Sequence, residues 1–148
     1  MKARERFPKV VVGALVFNKK GEALLLKTHK WGNKYGLAGG KVRYGETLKE
    51  AVKREVLEET GLAVSEIEFF IVQQMARPKE FYKDVHFIAI NFLCKTSKTK
   101  VTLNEESEEY VWVKPEVSLR LELNAPTREF MREYVKRKSG KANYCEGR

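Results

Sequence analysis

Hydrophobic positions near the amino terminus form a continuous run, Lys9–Phe17, that is rich in β-branched residues. Such a run is typical of a strand that is buried on both faces. Residues 18–21 (Asn-Lys-Lys-Gly) then predict a hairpin turn, and residues 23–26 predict its partner strand. Residues 28–36 lack periodicity and predict a loop. The glycine-rich stretch 37–42 predicts a backbone that bends or that approaches another group closely.

The clearest helical pattern in the chain runs from Thr47 to Thr60. Thr47 and Glu50, three positions apart, form a capping box, and Gly61 stands where a left-handed residue closes a helix. Pro126 at a first turn opens a second helix, which we expect to end near Lys138.

Three further apolar runs predict strands, at residues 67–75, 85–93 and 110–113. Strands before, between and after two helices predict an α/β fold in which a mixed β-sheet is covered by helices on both faces. We expect one domain over residues 1–148, with its core at about 8–138 and a basic tail at 139–148.

Composition places the chain among soluble globular domains, because 43% of its 148 residues are hydrophobic and 33% are charged. No apolar stretch reaches the roughly 18–20 residues that cross a bilayer, and the first residues do not resemble a signal peptide. Cys94 and Cys145 stand in unlike surroundings and favour two reduced thiols over a disulfide. We therefore expect a cytoplasmic protein with no membrane partner.

The net charge of +9 favours anionic partners. Part of the excess lies near the carboxyl terminus, in Arg132, Lys136, Arg137, Lys138, Lys141 and Arg148. A solvated basic helix end is the favoured interpretation of this cluster, and attraction of a polyphosphate or of RNA is the alternative. Charge alone does not separate these interpretations.

Carboxylates point the wrong way on the first predicted helix. At ~100° per residue, Ala51, Val52 and Val56 define an apolar face around Leu48. Acidic residues fall on that same face: Glu55 and Glu59 lie near its centre and Glu58 lies at its edge. Inward carboxylates must be paired or bind a cation, and hard oxygen ligands suit Mg²⁺, or Mn²⁺ as an alternative. An acidic helix balanced by neighbouring lysines is the other interpretation, but the inward placement and the preceding glycines disfavour it.

The spacing around this helix resembles the Nudix box. Gly40 is followed after five residues by Glu46 and after seven more by the run Arg54-Glu55-Val56-Leu57-Glu58-Glu59-Thr60-Gly61-Leu62. Every fixed position of the box is matched over residues 40–62. The resemblance implies an α/β/α sandwich and a MutT-like pyrophosphatase, a hydrolase that cleaves a nucleoside diphosphate linked to another group.

The same resemblance implies roles for individual residues. It implies metal binding by Glu58, Glu59, Glu55 and the Gly39 carbonyl, and a salt bridge between Glu46 and Arg54 that supports the catalytic helix. Glu55 is the first candidate for the base that deprotonates water. Glu106, six residues before Trp112, is the second, and a simple loop charge is nearly as good an interpretation of it.

Substrate-binding candidates are cations and aromatics near the glycine segment: Lys27, Trp31, Arg43 and Arg77, with His29, Lys30, Phe81 and Tyr82 nearby. Pro78, sixteen residues beyond the box, resembles an arrangement in ADP-ribose-hydrolysing members. We therefore rank ADP-ribose or another nucleotide sugar ahead of a (deoxy)nucleoside triphosphate.

Two other functions stay open at this point. One is a catalytically silent module that binds a nucleotide or RNA, which the retained helix glutamates disfavour. The other is an RNA-end-processing enzyme with the same chemistry. RNA is the less favoured partner, and a homodimer is compatible with the sequence.

Overall fold

The computed structural model describes the backbone of residues 4–146 and the side chains of residues 4–139. Its strands are β1 (Lys9–Phe17), β2 (Ala23–Thr28), β3 (Lys34–Gly36), β4 (Ala38–Lys41), β5 (Ser65–Ala76), β6 (His86–Lys95) and β7 (Glu109–Val113). Its helices are α1 (Leu48–Thr60), α2 (Pro115–Ser118) and α3 (Ala125–Glu146).

The seven strands form one mixed sheet. Its main order is β3-β2-β1-β6-β5, while β4 pairs with β1 and β7 pairs with β2. β1 and β6 run parallel over their whole length, and the other pairs are antiparallel. The predicted mixed sheet is confirmed.

Helices cover the two faces of this sheet, each over its own core. On one face, Ala51, Val52 and Val56 of α1 are fully buried against β1, β2 and β4. On the other, Phe130 and Met131 of α3 are fully buried against apolar residues of β1 and β2. Apolar periodicity therefore gives the α/β/α arrangement that was predicted.

Two sequence-based predictions of local structure were wrong, and two short elements were not predicted. Residues 28–36 contain the strand β3 rather than only a loop, because a short 3₁₀ turn capped by Thr28 reverses the chain before it. Residues 38–41 also form a strand, β4. α3 continues to Glu146 instead of ending near Lys138, and the short α2 was not predicted.

The glycines of β4 do allow close approach, as expected. A Cβ at Gly40 would lie 2.6 Å from the Glu55 carboxylate, and one at Gly39 would clash with the Val12 carbonyl oxygen. A side chain at either position would therefore push β4 away from α1 or from β1.

In the described part of the chain, no helix is both long and apolar enough to span a membrane. Cys94 is a buried free cysteine, and burial raises the pKa of its thiol to about 12. The side chain of Cys145 and those of the predicted tail, 140–148, lie outside the described residues.

Candidate active site

An open cavity of about 760 Å³ lies between α1 and the β5–β6 turn. This volume falls in the range of small-molecule sites. Residues of β1, β4, α1, β5 and β6 line it, together with the loops after β2, after β6 and before α3. The cavity therefore joins the acidic helix to the middle of the sheet.

Local capping interactions fix the position of α1. The Glu50 amide donates to the Thr47 hydroxyl at 3.2 Å, and the Glu50 carboxylate accepts from the Thr47 amide at 3.1 Å. At the other end Gly61 has a left-handed φ of 74°, and its amide donates to the Leu57 carbonyl at 2.9 Å. The predicted capping box and terminal glycine are both confirmed.

Glu59 is the most deeply buried carboxylate of this helix, at 7% exposure. Its Oε2 accepts a hydrogen bond from the Gly39 amide at 2.7 Å. Burial raises the pKa of Glu59 well above its ordinary value. The Gly39 N–H opposes this shift, and the charges of Glu55 and Glu106 add to it.

Glu55 and Glu58 lie on either side of one arginine. Arg54 Nη1 lies 2.9 Å from Glu55, whose side chain is 12% exposed, and 3.3 Å from Glu58, which is 46% exposed at the cavity rim. Burial raises the pKa of Glu55, although Arg54 opposes the shift. Glu58 also pairs with Arg43 at 3.7 Å.

The pair between Glu46 and Arg54 that the resemblance implies is present. Arg54 Nε and Nη2 donate to the Glu46 carboxylate at 2.7 and 2.9 Å, and Nη2 also donates to the Lys41 carbonyl at 3.0 Å. Hydrogen bonding from Arg54 lowers the pKa of Glu46 to about 2. The pair thus ties α1 to the end of β4.

Glu106 reaches the same cavity from a distant loop. Thr28 donates to the Glu106 carbonyl at 2.6 Å, Lys30 Nζ lies 2.5 Å from its carboxylate, and the Glu106 amide donates to Asn104 at 3.0 Å. Burial raises the pKa of Glu106, but Lys30 and Asn104 more than offset this, so the net shift is downward. The negative charge of Glu106 contributes to the raised pKa of Glu59, as expected for two carboxylates in one cavity.

The predicted substrate-binding residues divide into two groups. Trp31 and Arg43 line the cavity, and Trp31 packs edge-on against Phe81 at 4.7 Å between ring centroids. Lys27 and Arg77 are not among the lining residues. Lys27 lies over the Tyr35 ring, and Arg77 donates to Asp84 at 2.9 Å from an 80% exposed position.

Sequence reasoning missed a set of buried amides in the cavity wall. Gln73 donates to the Pro126 carbonyl at 2.9 Å, and Asn91 donates to Gln73 at 2.8 Å. These bonds leave the Asn91 carbonyl oxygen at the cavity surface beside Gly13, where a side chain would collide with it. In the sequence, Gly13 and Asn91 only interrupt two apolar runs, and the pairing of β1 with β6 is what brings them together.

The donors beside Glu59 have the chemistry of a hard-cation site. Burial raises the pKa of Glu59 and of Glu55, and the charge of Glu106 adds to both shifts, in a cavity that also holds Arg54 and Lys30. Oxygen donors of this kind fit Mg²⁺ or Mn²⁺. Within residues 4–139, no three acidic, histidine or cysteine side chains are already gathered around one point, and Arg54 holds two of the candidates.

Comparison with known proteins places the chain. The model of the NUDIX domain matches residues 7–134. The chain is 35% identical to the nucleoside triphosphatase NudI of Escherichia coli over 104 residues. This matched region covers 66% of the present chain and 74% of NudI.

Solved structures agree with this match. The MutT protein from Methanosarcina mazei Go1 superposes with a TM-score of 0.73 at 33% identity, over 92% of this chain and 99% of that one. The NUDIX domain of Shewanella oneidensis NrtR, solved with ADP ribose, gives 0.74 at 16% identity over 90% of each chain, which shows the fold alone. The chain therefore belongs to the Nudix hydrolase family and is a pyrophosphohydrolase that acts on acid anhydrides.

Proposed function

We propose that the protein hydrolyses a nucleoside triphosphate to the monophosphate and pyrophosphate, in a reaction that depends on Mg²⁺ or Mn²⁺. The observation that carries this proposal is the buried, crowded carboxylate of Glu59, inside a cavity large enough for a nucleotide. A carboxylate with a raised pKa and acidic neighbours gains most from a bound cation.

Metal ligands in this proposal are Glu55, Glu58, Glu59 and the carbonyl of Gly39. A divalent ion held by these residues would neutralise phosphate oxygens and make the attacking water more acidic. Arg54 has a second role in this proposal. It lies between Glu55 and Glu58, and its positive charge reduces the repulsion between the two carboxylates when no metal ion is bound.

The protein's own residues supply the proton acceptor and the alignment. Glu55 is the first candidate for the base, since burial raises its pKa towards neutrality. Glu106 is the second, and Lys30 keeps it ionised and aimed at the cavity. Gly39 and Gly40 hold β4 close enough to α1 for these groups to act on one phosphoanhydride.

The nucleobase of the substrate would lie in the part of the cavity away from the carboxylates of α1. Trp31, Phe81 and Tyr82 line the cavity with aromatic surface, and Asn91, which also lines it, presents its side-chain carbonyl beside Gly13. Stacking gives affinity for any base, while an amide discriminates between bases.

A triphosphate moves ahead of ADP-ribose because the relative that shares 35% identity is named a nucleoside triphosphatase. ADP-ribose remains the second candidate. The turn that contains Pro78 carries Phe81 and Tyr82 into the cavity wall, since the Pro78 carbonyl accepts from the Phe81 amide at 3.3 Å.

A product panel tests the proposal. Nucleoside triphosphates, ADP-ribose and nucleotide sugars are incubated with Mg²⁺ or Mn²⁺, and the products are separated by anion exchange. We expect monophosphate and pyrophosphate from a triphosphate. Mononucleotide and ribose phosphate as the only efficient products would replace this substrate with ADP-ribose. No metal-dependent hydrolysis of any compound would contradict the catalytic proposal.

A further inference from the structure

Three lysines stand together at the mouth of the cavity. Lys41 and Lys83 line it. Lys9 lies opposite Phe87 of β6, and Lys41 lies opposite Val11 of β1. Residues that are opposite each other or two apart on a strand point to the same face. Lys9 and Lys41 therefore share the face on which Val11 and Phe87 line the cavity.

The described side chains offer these positive charges no acidic partner. Among the side chains of residues 4–139, no ion pair involves Lys9, Lys41 or Lys83. Asp84, the neighbour of Lys83, is held instead by Arg77 at 2.9 Å and by Arg6 at 3.6 Å. The positive charge of Lys9, and more weakly that of Lys83, lowers the pKa of the Lys41 amine.

Hydrogen bonds hold the two backbone segments that carry Lys41 and Lys83. The Val42 amide donates to the Val10 carbonyl at 3.2 Å, which ties the end of β4 to β1. The turn before β6 is closed by the Arg77 amide on the Val85 carbonyl at 2.8 Å, and the Tyr82 amide donates to the Lys30 carbonyl at 2.9 Å. These bonds keep Lys41 and Lys83 at the mouth of the cavity, where their exposed side chains can turn towards a bound anion.

We propose that Lys9, Lys41 and Lys83 form a phosphate subsite that binds the part of the substrate's polyphosphate chain lying beyond the carboxylate-bound metal. This inference rests on the proposed function and extends it to the substrate's charge. Three ammonium groups match the extra phosphoryl group of a triphosphate. The uncharged second sugar of ADP-ribose offers them nothing to bind, so the subsite selects longer polyphosphates.

Single-stranded RNA is the competing occupant, since aromatic Tyr44 and Tyr82 are exposed near the same mouth. The phosphate subsite is favoured because Lys41 and Lys83 line the cavity itself, whereas an RNA-binding surface needs a basic groove that continues away from it.

Calorimetric titration with inorganic tripolyphosphate in EDTA tests the subsite without turnover and without metal. Wild type is compared with the double variant K9Q/K83Q and with K19Q/K20Q, which removes the same charge from the exposed hairpin between β1 and β2. We expect K9Q/K83Q to weaken binding about tenfold or more, and K19Q/K20Q to change it less than about twofold.

Other results overturn the inference. Equal losses in the two double variants would mean that only net charge matters, and absence of tripolyphosphate binding would remove the subsite while the product panel still judged the proposed function. Conversely, tripolyphosphate binding in an enzyme that cleaves no triphosphate would keep the subsite and reject the function. If K9Q/K83Q weakened binding of 5′-hydroxyl RNA in a filter assay but left tripolyphosphate binding unchanged, the surface would be an RNA site.

Discussion

The two walls of the cavity are built in opposite ways. Most of the acidic wall comes from one continuous stretch of chain, from Gly39 to Glu59, in which a glycine strand and a capped helix face each other. Glu106 joins it from the loop after β6. The facing wall is assembled from separate elements: Trp31, Phe81, Asn91 and Asn124 come from three loops and a strand. Most residues proposed for catalysis therefore lie in one segment of the sequence. The residues proposed for substrate recognition come together only when the chain folds.

Their electrostatics differ as well. The acidic wall carries carboxylates whose pKa values burial raises, so its charge depends on pH and on cations. The facing wall holds neutral amides joined to each other, as in the bond from Asn91 to Gln73 at 2.8 Å. Substitutions in the first wall should therefore change kcat, and those in the second should change KM.

The largest effect should come from Glu59→Gln. The substitution keeps the shape of the side chain but removes the buried charge that a cation needs, so kcat should fall by about two orders of magnitude or more. Steady-state pyrophosphate release measures this, and circular dichroism checks that the variant is folded. A turnover rate close to that of wild type would show that the acidic wall is not the catalytic one.

Trp31→Ala should affect the facing wall next. Loss of stacking is worth about 1–3 kcal/mol, so KM should rise about 5- to 150-fold while kcat changes little. Tyr110→Ala provides a matched control, because Tyr110 is a 43% exposed aromatic on β7 and is not among the cavity-lining residues. A fall in kcat at constant KM would erase the proposed division between the walls.

Lys30→Gln should move the pH profile. Lys30 holds the pKa of Glu106 below its ordinary value despite burial, so its loss should raise that pKa. Because Glu106 acts as an anion, the acidic limb of kcat/KM should shift to higher pH. Activity should fall about tenfold at acidic pH and little at alkaline pH. In a Glu106→Gln background, Lys30→Gln should not shift the pH profile further. If the pH profile of the Lys30→Gln single variant were the same as that of wild type, Lys30 would not have this role.

Stability of the metal-free protein should depend on pH through Glu59. The pKa of Glu59 is raised in the folded protein, so folding favours its protonated form. The stability that this preference contributes is fully present below the ordinary pKa of 4.5 and is lost as the pH rises through the pKa of the folded state. In EDTA, the Tm of wild type should therefore fall relative to that of Glu59→Gln as the pH increases. A difference in Tm that does not vary with pH would contradict the burial of this charge.

The smallest effect should come from Arg77→Gln. Arg77 is 80% exposed, pairs with Asp84 and is not among the cavity-lining residues, so kcat and KM should both stay within about twofold of wild type. Arg43→Gln is the comparison, since Arg43 lines the cavity and pairs with Glu58. A strong effect of Arg77 alone would mean that the turn before β6 moves onto the substrate.

Sequence reasoning succeeded where the signals are local. The capping box at Thr47, the left-handed Gly61 and the inward side of α1 all depend on residues within a few turns of one helix. The end of α3, expected near Lys138, was placed too early, because a glycine such as Gly140 inside a helix costs only about 1 kcal/mol relative to alanine.

The facing wall could not be predicted in this way. Asn91 and Gln73 lie in apolar strands and look like ordinary core residues until β5 and β6 pair and bring their amides together. Asn124 looks like a helix cap, which it also is, since it accepts from the Thr127 amide at 2.9 Å. Lys27 and Arg77 were substrate-binding candidates because of their charge and their position in the sequence. Neither property shows where a side chain points or which residue it contacts.

Manganese binding tests the central claim most directly. Free Mn²⁺ is followed by electron paramagnetic resonance during titration of wild type, Glu59→Gln and the exposed helix control Glu50→Gln. We predict that wild type and Glu50→Gln bind the ion alike and that Glu59→Gln binds it at least about tenfold more weakly. Equal affinity in all three proteins would mean that the inward carboxylates of α1 do not hold the metal.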